Sequence, residues 1–409
     1  MVDDVDRRSS AQCKNQSRMG KLFFYSESHV HMTCICRVKM KPMTKGSPTR
    51  SFKAIRPGRG QILDGRRRES PIVGAVQKSI THGSVFEVGN NNYINNPPSH
   101  RANFWPYGET FFRYPTGRFS DGRVIPDFIS DYARLPLSLP YYYPGFQSYI
   151  HGTNFASGGA GALVETHKGF VIDLKTQLSN FINVKESLRQ RLGDDESARL
   201  VSKAVYLLNV GNNDYAAFAE NSKLQFSKKP QEYVNMVLGN ITHVIKEIHM
   251  NGGRKFGFLG LWNLGCVPTS RLHANESSGS CLEELSLLAK LHNTQLSMIL
   301  QKLEKELEGF KYAHTNSYDL ISDMIDNPSK YGFKEGKVAC CGSGPYRGHN
   351  SCGGKRGDQY YELCENPNEF VFFDAIHLSE KAYKFFANQM WVGDRGITWP
   401  YNLRELFED

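Results

Sequence analysis

The chain has 409 residues, 40% hydrophobic and 12% aromatic, enough for one large or two ordinary domains with a sizeable core. No run of 18 or more apolar residues occurs, which excludes a membrane-spanning helix. The formal charge of +9 is uneven: residues 1–80 hold 17 Lys and Arg against 6 Asp and Glu, whereas residues 81–409 hold 33 against 35.

The basic end, residues 1–80, alternates basic and small polar residues without a sustained period. It reads as a mostly disordered leader, with 71–76 (Pro-Ile-Val-Gly-Ala-Val) as a weak strand candidate. A nucleic-acid or membrane-surface role for this segment is the alternative, but little aromatic residue interleaves its charges. No nucleic-acid partner is expected. The first residues, Met-Val-Asp-Asp-Val-Asp, precede no apolar stretch, so no signal peptide is expected in this chain.

From Ser84 the texture becomes that of a globular domain, here assigned to residues 81–409. Residues 103–127 form a long loop with aromatic and turn residues, and 126–133 read as a short helix. Apolar residues at helical spacing predict a helix over 173–191. Residues 204–210 are a short apolar run before Gly211, as in a buried parallel strand. A helix is predicted over 230–250, stopped by Asn251-Gly252-Gly253. A second buried strand falls at 255–261, a long amphipathic helix at 282–307 and a third strand at 310–315. A further helix begins at 320–324, a Gly- and Cys-rich loop runs over 332–366, and 370–373 is apolar. The last predicted helix covers 379–391. Strands separated by helices imply an α/β fold: a parallel sheet flanked on both faces.

Six of the nine cysteines lie in the body: Cys266, Cys281, Cys340, Cys341, Cys352 and Cys364. The even count in loop-like sequence favours disulfides and an oxidising compartment. Zinc fits poorly, because the spacing lacks Cys-x2–4-Cys pairs. Asn240-Ile-Thr and Asn275-Glu-Ser are glycosylation sequons.

Four stretches could carry chemistry. Ser84-Val-Phe-Glu-Val-Gly-Asn-Asn-Asn offers a serine ahead of a turn-forming run. Asn154-Phe-Ala-Ser-Gly-Gly-Ala-Gly is built of small residues, so backbone N–H groups can approach a ligand. Gly211-Asn-Asn-Asp follows a predicted strand, and Asn213 could aim its amide at a developing oxyanion; a plain tight turn is the other reading. Asp374-Ala-Ile-His377 follows an apolar run taken as a sheet strand, and its spacing lets the Asp hold one ring nitrogen of the His. No Gly-x-Ser-x-Gly elbow occurs, which disfavours an ordinary α/β-hydrolase.

Taken in order, these blocks resemble the plant GDSL esterase/lipase family of the SGNH-hydrolase superfamily, from Ser84 to about Trp391. Residues 115–123, 264–268, 339–342 and 380–382 also look like the family's. The resemblance implies a three-layer α/β/α, flavodoxin-like sheet. It implies Ser84 as nucleophile, His377 as general base and Asp374 as its orienting partner. The oxyanion hole is implied to be the Ser84 N–H, the Gly159 N–H and the Asn213 amide. It further implies a secreted hydrolase of carboxylic esters, whether lipid, cuticle precursor or acetylated glycan, with no metal or organic cofactor. Disulfide pairing stays open, with Cys266 to Cys281 expected and the other four pairing among themselves. The oligomeric state is not read from the sequence.

One block departs from the family. His82-Gly83-Ser84 stands where the family has Gly-Asp-Ser, and residues 77–81 (Gln-Lys-Ser-Ile-Thr) are a poor match to a buried strand. The first strand is therefore expected to be damaged or absent, residues 1–83 to be a non-native beginning of the domain, and esterase activity to be weak or absent. The alternative is an inactive protein of the same fold that binds acyl or glycan ligands.

Overall fold

The computed structural model describes residues 77–79 by backbone, and residues 85–146, 148–274 and 280–409. The leader up to residue 76, the strand candidate at 71–76, Ser84 and the Asn275 sequon lie outside the described residues.

Among the described residues, the main sheet has six strands. Five run parallel: β1 (Gln77–Ser79), β2 (Gly152–Asn154), β3 (Val205–Leu208), β4 (Lys255–Leu259) and β5 (Lys311–Thr315). A small ribbon pairs β6 (Cys341–Gly342) with β7 (Glu362–Leu363). The last strand, β8 (Thr398–Pro400), lies antiparallel on β5 and closes that edge. The spatial order is β2-β1-β3-β4-β5-β8.

The first strand is present, described over Gln77–Ser79, on the leader side of the boundary expected at residue 80. Its backbone pairs on both sides: Gln77, Lys78 and Ser79 with Gly152, Thr153 and Asn154, and Gln77 and Lys78 with Val205 and Tyr206. A backbone ladder needs no particular side chain, so a polar segment can take a central position when both neighbours supply partners.

Helices cover both faces. They are α1 (Ile125–Tyr132), α2 (Leu174–Leu192), α3 (Asp194–Lys203), α4 (Asn212–Glu220), α5 (Ser222–Ser227), α6 (Pro230–Met250), α7 (Pro268–His273), α8 (Glu283–Glu306), α9 (Ser317–Asp326), α10 (Glu380–Val392) and α11 (Leu403–Glu408). Local signals set their starts: the side chains of Asp173, Asn316 and Ser379 accept from the N–H groups of Thr176, Asp319 and Ala382.

Strand alternation sorts the core into two layers. Tyr206, Leu208, Phe256, Phe258 and Tyr312 pack with residues of α2, α3, α6 and α8, among them Phe181, Val201, Ile245 and Leu300. Val205, Leu207, Leu259 and Ala313 point the other way, to Phe128 of α1, Met324 of α9, Phe386 of α10 and Leu403 of α11. Close packing there explains Gly257: a Cβ would lie 2.6 Å from Leu403 and 2.8 Å from Leu207.

The apolar run at 370–373 is not a strand of this sheet, which corrects the reading of its sequence. Val371, Phe372 and Phe373 are fully buried. Their backbone partners lie in the cysteine-rich loop: Val371 N–H donates to Glu335 O at 2.9 Å, Cys340 N–H to Phe372 O at 2.9 Å and Cys341 N–H to Phe373 O at 2.7 Å. Disulfides join Cys340 to Cys364 and Cys341 to Cys352, and a third joins Cys266 to Cys281. Burial alone made this run look like a sheet strand.

Leu207→Ala removes a buried side chain at the β3–α11 contact and is expected to cost about 2–5 kcal/mol, read as a lower urea midpoint with an unchanged slope.

Candidate active site

The segment after β1 is tied to the segment after β2 by buried side chains. Asn90 Nδ2 donates to the carbonyls of Asn154 and Ala156, each at 2.9 Å. Asn91 Nδ2 donates to Gly158 O at 2.9 Å and His100 O at 2.7 Å, and its Oδ1 accepts from Ser157 Oγ at 2.6 Å. Asn154 Nδ2 returns a bond to Phe86 O at 2.7 Å. Glu87 completes the clamp: its Oε1 accepts from Asn91 N–H at 2.6 Å and its Oε2 from Gly158 N–H. Burial pushes the Glu87 carboxyl up to about 8, against the downward pull of the Asn91 and Gly158 N–H groups and Arg118. The sequence reading gave Glu87, Asn90 and Asn91 no individual role.

Two glycines are required here for different reasons. A Cβ on Gly158 would stand 2.6 Å from both Glu87 Oε2 and the Phe119 ring. Gly159 has φ +87°, and a Cβ there would meet the His100 ring at 2.5 Å. The clamp thus presents the Gly159 backbone beside the His100 ring.

Gly211–Asp214 is not only a turn, since α4 begins at Asn212 directly after β3. Asp214 is buried and accepts from Ala162 N–H at 2.7 Å, Leu163 N–H at 3.0 Å and Thr166 Oγ at 2.7 Å. Those bonds bind α4 to the loop that carries Gly159. Asn213 Nδ2 donates to Ala160 O at 2.8 Å. One of its two amide hydrogens therefore holds the loop, and the amide carries a second.

Asp374 and His377 sit where the buried run turns toward α10. Asp374 is fully buried and His377 is 6% exposed. His377 Nδ1 lies 2.8 Å from each carboxylate oxygen of Asp374. Asp374 Oδ1 also accepts the N–H groups of Ile376 at 2.9 Å and His377 at 2.7 Å. Asp374 Oδ2 accepts from Tyr107 Oη at 2.6 Å. Burial alone would raise this carboxyl, but His377, the charge of Arg356 and the Tyr107 hydroxyl together hold it well below the usual carboxylate range. The His377 ring lies on Phe119, with centroids 4.7 Å apart.

His377, Gly159 and Asn213 line one cavity of about 260 Å³. His100, His167, Glu220, Asn350, Arg356 and Ile376 contribute to its walls. Burial, with His167 and Arg356 nearby, lowers His100 to about 4, leaving a neutral imidazole beside Gly159 at neutral pH. Of the five site residues expected from sequence, the structure brings four together: Asp374, His377, Gly159 and Asn213. Ser84, one residue before the described segment, lies outside the described residues. Among the described residues, no group of three or more His, Cys, Asp or Glu side chains is placed to hold a metal.

Glu87 makes stability depend on pH. A carboxyl whose folded value lies near 8 binds its proton more tightly folded than unfolded, so its contribution is present below about pH 4.5 and fades as pH rises through 8. Glu87→Gln loses one acceptor, so it melts lower than the wild type, but it cannot ionise. The gap in Tm between the two is expected to narrow from pH 5.5 to pH 8.5, and a gap that widens would contradict this.

Residues 79–390 match the sequence model of the GDSL-like Lipase/Acylhydrolase family. GDSL esterase/lipase 2 of Arabidopsis thaliana is 51% identical over 330 residues, which covers 80% of this chain and 88% of that protein. GDSL esterase/lipase 1 of the same plant is 52% identical over 329 residues, covering 80% and 88%. GDSL lipase of Tanacetum cinerariifolium is 47% identical over 325 residues, covering 80% and 86%. The matched region takes in the Asn154–Gly161, Gly211–Asp214 and Asp374–His377 blocks whose side chains build the cavity, and the chain belongs to the GDSL-like lipase/acylhydrolase family.

Proposed function

We propose that the protein hydrolyses carboxylic esters through an acyl-enzyme formed on Ser84. The observation that carries this reading is the buried Asp374–His377 pair, 2.8 Å apart, opening on the same cavity as Gly159 and Asn213. Family membership and relatives named as esterases and lipases support it.

The Ser84 hydroxyl attacks the ester carbonyl and passes its proton to His377 Nε2. Asp374, bonded to Nδ1, fixes the ring's tautomer and stabilises the imidazolium that forms. Negative charge then grows on the carbonyl oxygen. The Ser84 N–H, the Gly159 N–H and the second amide hydrogen of Asn213 are its donors, each worth about 2.7–4 kcal/mol by analogy with other oxyanion holes. The Gly159 N–H makes no other hydrogen bond among the described residues. The intermediate collapses, His377 protonates the leaving alcohol, and a water deprotonated by His377 releases the acid.

With His82 and Gly83 standing where the family has Gly-Asp, turnover is expected to be slower than in relatives that keep that block. A misplacement of about 1 Å can cost roughly a hundredfold. The three disulfides suit an oxidising, extracellular setting. Among the described residues no helix is long and apolar enough to cross a membrane.

The test is hydrolysis of p-nitrophenyl butyrate. Ser84→Ala and His377→Gln are expected to lower kcat by about 10³-fold or more. Asn213→Ala is expected to cost about 10²–10³ in kcat. The pair His82→Gly with Gly83→Asp is expected to raise kcat/KM. Full turnover in Ser84→Ala would refute the acyl-enzyme reading.

A further inference from the structure

The carboxylate of Asp374 has a support that the triad does not require. Tyr107 is fully buried, and its hydroxyl donates to Asp374 Oδ2 at 2.6 Å across a separation of 267 residues. The same hydroxyl accepts from Arg356 Nη1 at 2.5 Å. Arg356 is itself fixed: Nη1 also donates to Asn350 Oδ1 at 2.9 Å, and Nη2 donates to Arg101 O at 2.7 Å. Its guanidinium lies 5.2 Å from the Phe104 ring centre and 5.0 Å from that of Tyr107. Asn350 and Arg356 both lie within the loop closed by the Cys340–Cys364 disulfide.

We propose that Tyr107 and Arg356 are positioning residues for the Asp374–His377 pair, forming a chain from guanidinium to phenol to carboxylate to imidazole. The geometry gives each link a task. Asp374 Oδ1 is held by two backbone N–H groups, whereas among the described residues Oδ2 is met by Tyr107 and the ring of His377. The phenol therefore stops the carboxylate from rotating about its Cβ–Cγ bond, which sets the plane in which it meets Nδ1. It also draws charge away from Oδ2, so the carboxylate pulls less strongly on the His377 proton. Arg356 keeps the phenol's proton pointed at Asp374 by occupying the acceptor side of its oxygen. Burial raises Tyr107 well above the ordinary tyrosine value, so it stays a donor throughout the working range.

Asp374 faces His377, Tyr107, Arg356 and Tyr383. On the cavity side, His377 shares walls with His100, His167, Glu220 and Arg356. Removing the Tyr107 hydroxyl or the Arg356 charge strengthens the bare carboxylate as a partner for a protonated ring. Both changes should therefore move the protonation of His377 to higher pH.

The rate effects rest on the ester-hydrolase reading, but the titration does not. Full-length protein labelled with ¹⁵N-histidine is titrated by NMR, with the His377 signals assigned by their loss in His377→Gln. Tyr107→Phe and Arg356→Gln are each expected to raise the His377 midpoint by about 0.5 pH unit or more. With p-nitrophenyl butyrate, both variants are expected to lower kcat about 10- to 100-fold with little change in KM, and to shift the acid limb of kcat/KM upward. Arg356→Lys, which keeps the charge, is expected to recover part of the midpoint but not all of kcat. Thermal melts identify the folded fraction of each variant. A folded Tyr107→Phe protein with the wild-type His377 midpoint overturns the proposal whether or not the protein turns over ester. A wild type with no turnover but a shifted midpoint in both variants upholds the chain of bonds and refutes the hydrolase reading alone.

Discussion

A single carboxylate removed from water governs the arrangement of this site. An ionised Asp buried completely is strongly disfavoured unless hydrogen bonds and opposite charge replace its hydration. Asp374 meets that condition with two backbone N–H groups, the His377 ring and the Tyr107 phenol. These partners come from the Asp374 turn itself and from the aromatic loop near residue 107. Satisfying one charge thus fixes the position of an imidazole and ties together parts of the chain that are far apart in sequence.

The sheet explains why the remaining groups arrive at the same place. Parallel strands end on one edge, and β1, β2 and β3 are neighbours. The segments that follow them carry Glu87 to Asn92, Asn154 to Gly161 and Gly211 to Asp214. Each is bound to the next by side-chain hydrogen bonds: buried Asn90, Asn91 and Glu87 to the middle segment, and buried Asp214 with half-buried Asn213 to its far end. Asp374 and His377 reach this edge by another route. Their segment rests on the disulfide-closed loop through the Cys340 and Cys341 N–H groups. The cysteines therefore stabilise the acid–base side of the cavity, whereas the polar clamp stabilises its glycine side.

Much of the fold was readable from residue pattern. The helices α2, α6 and α8 announce themselves by apolar residues at helical spacing, and β3, β4 and β5 by short apolar runs. All three disulfide pairings agree with the expectation of Cys266 to Cys281 and four cysteines pairing among themselves. The weak points were elements whose formation depends on neighbours. β1 and β2 (Gln-Lys-Ser and Gly-Thr-Asn) carry no apolar signal, because the ladder holds them through their backbones. The run ending at Phe373 carried a strong signal of burial that said nothing about which partner buries it. At the site, the Asp-x-x-His spacing was local and legible, as was the glycine block. The contacts of Tyr107 with Asp374 and of Arg356 with Tyr107 span 267 and 249 residues, and no local pattern marks them. Glu87 was hidden for the same reason, since its second partner, Gly158, is 71 residues away.

The account stands on Ser84 being the group that the Asp374–His377 pair activates. Labelling the intact protein with a fluorophosphonate and mapping the adduct by peptide mass spectrometry tests this directly. The account predicts a single phosphonylated residue, Ser84, with labelling that slows severely in His377→Gln. An adduct on another serine, or labelling of Ser84 at the same rate without the imidazole, would contradict it.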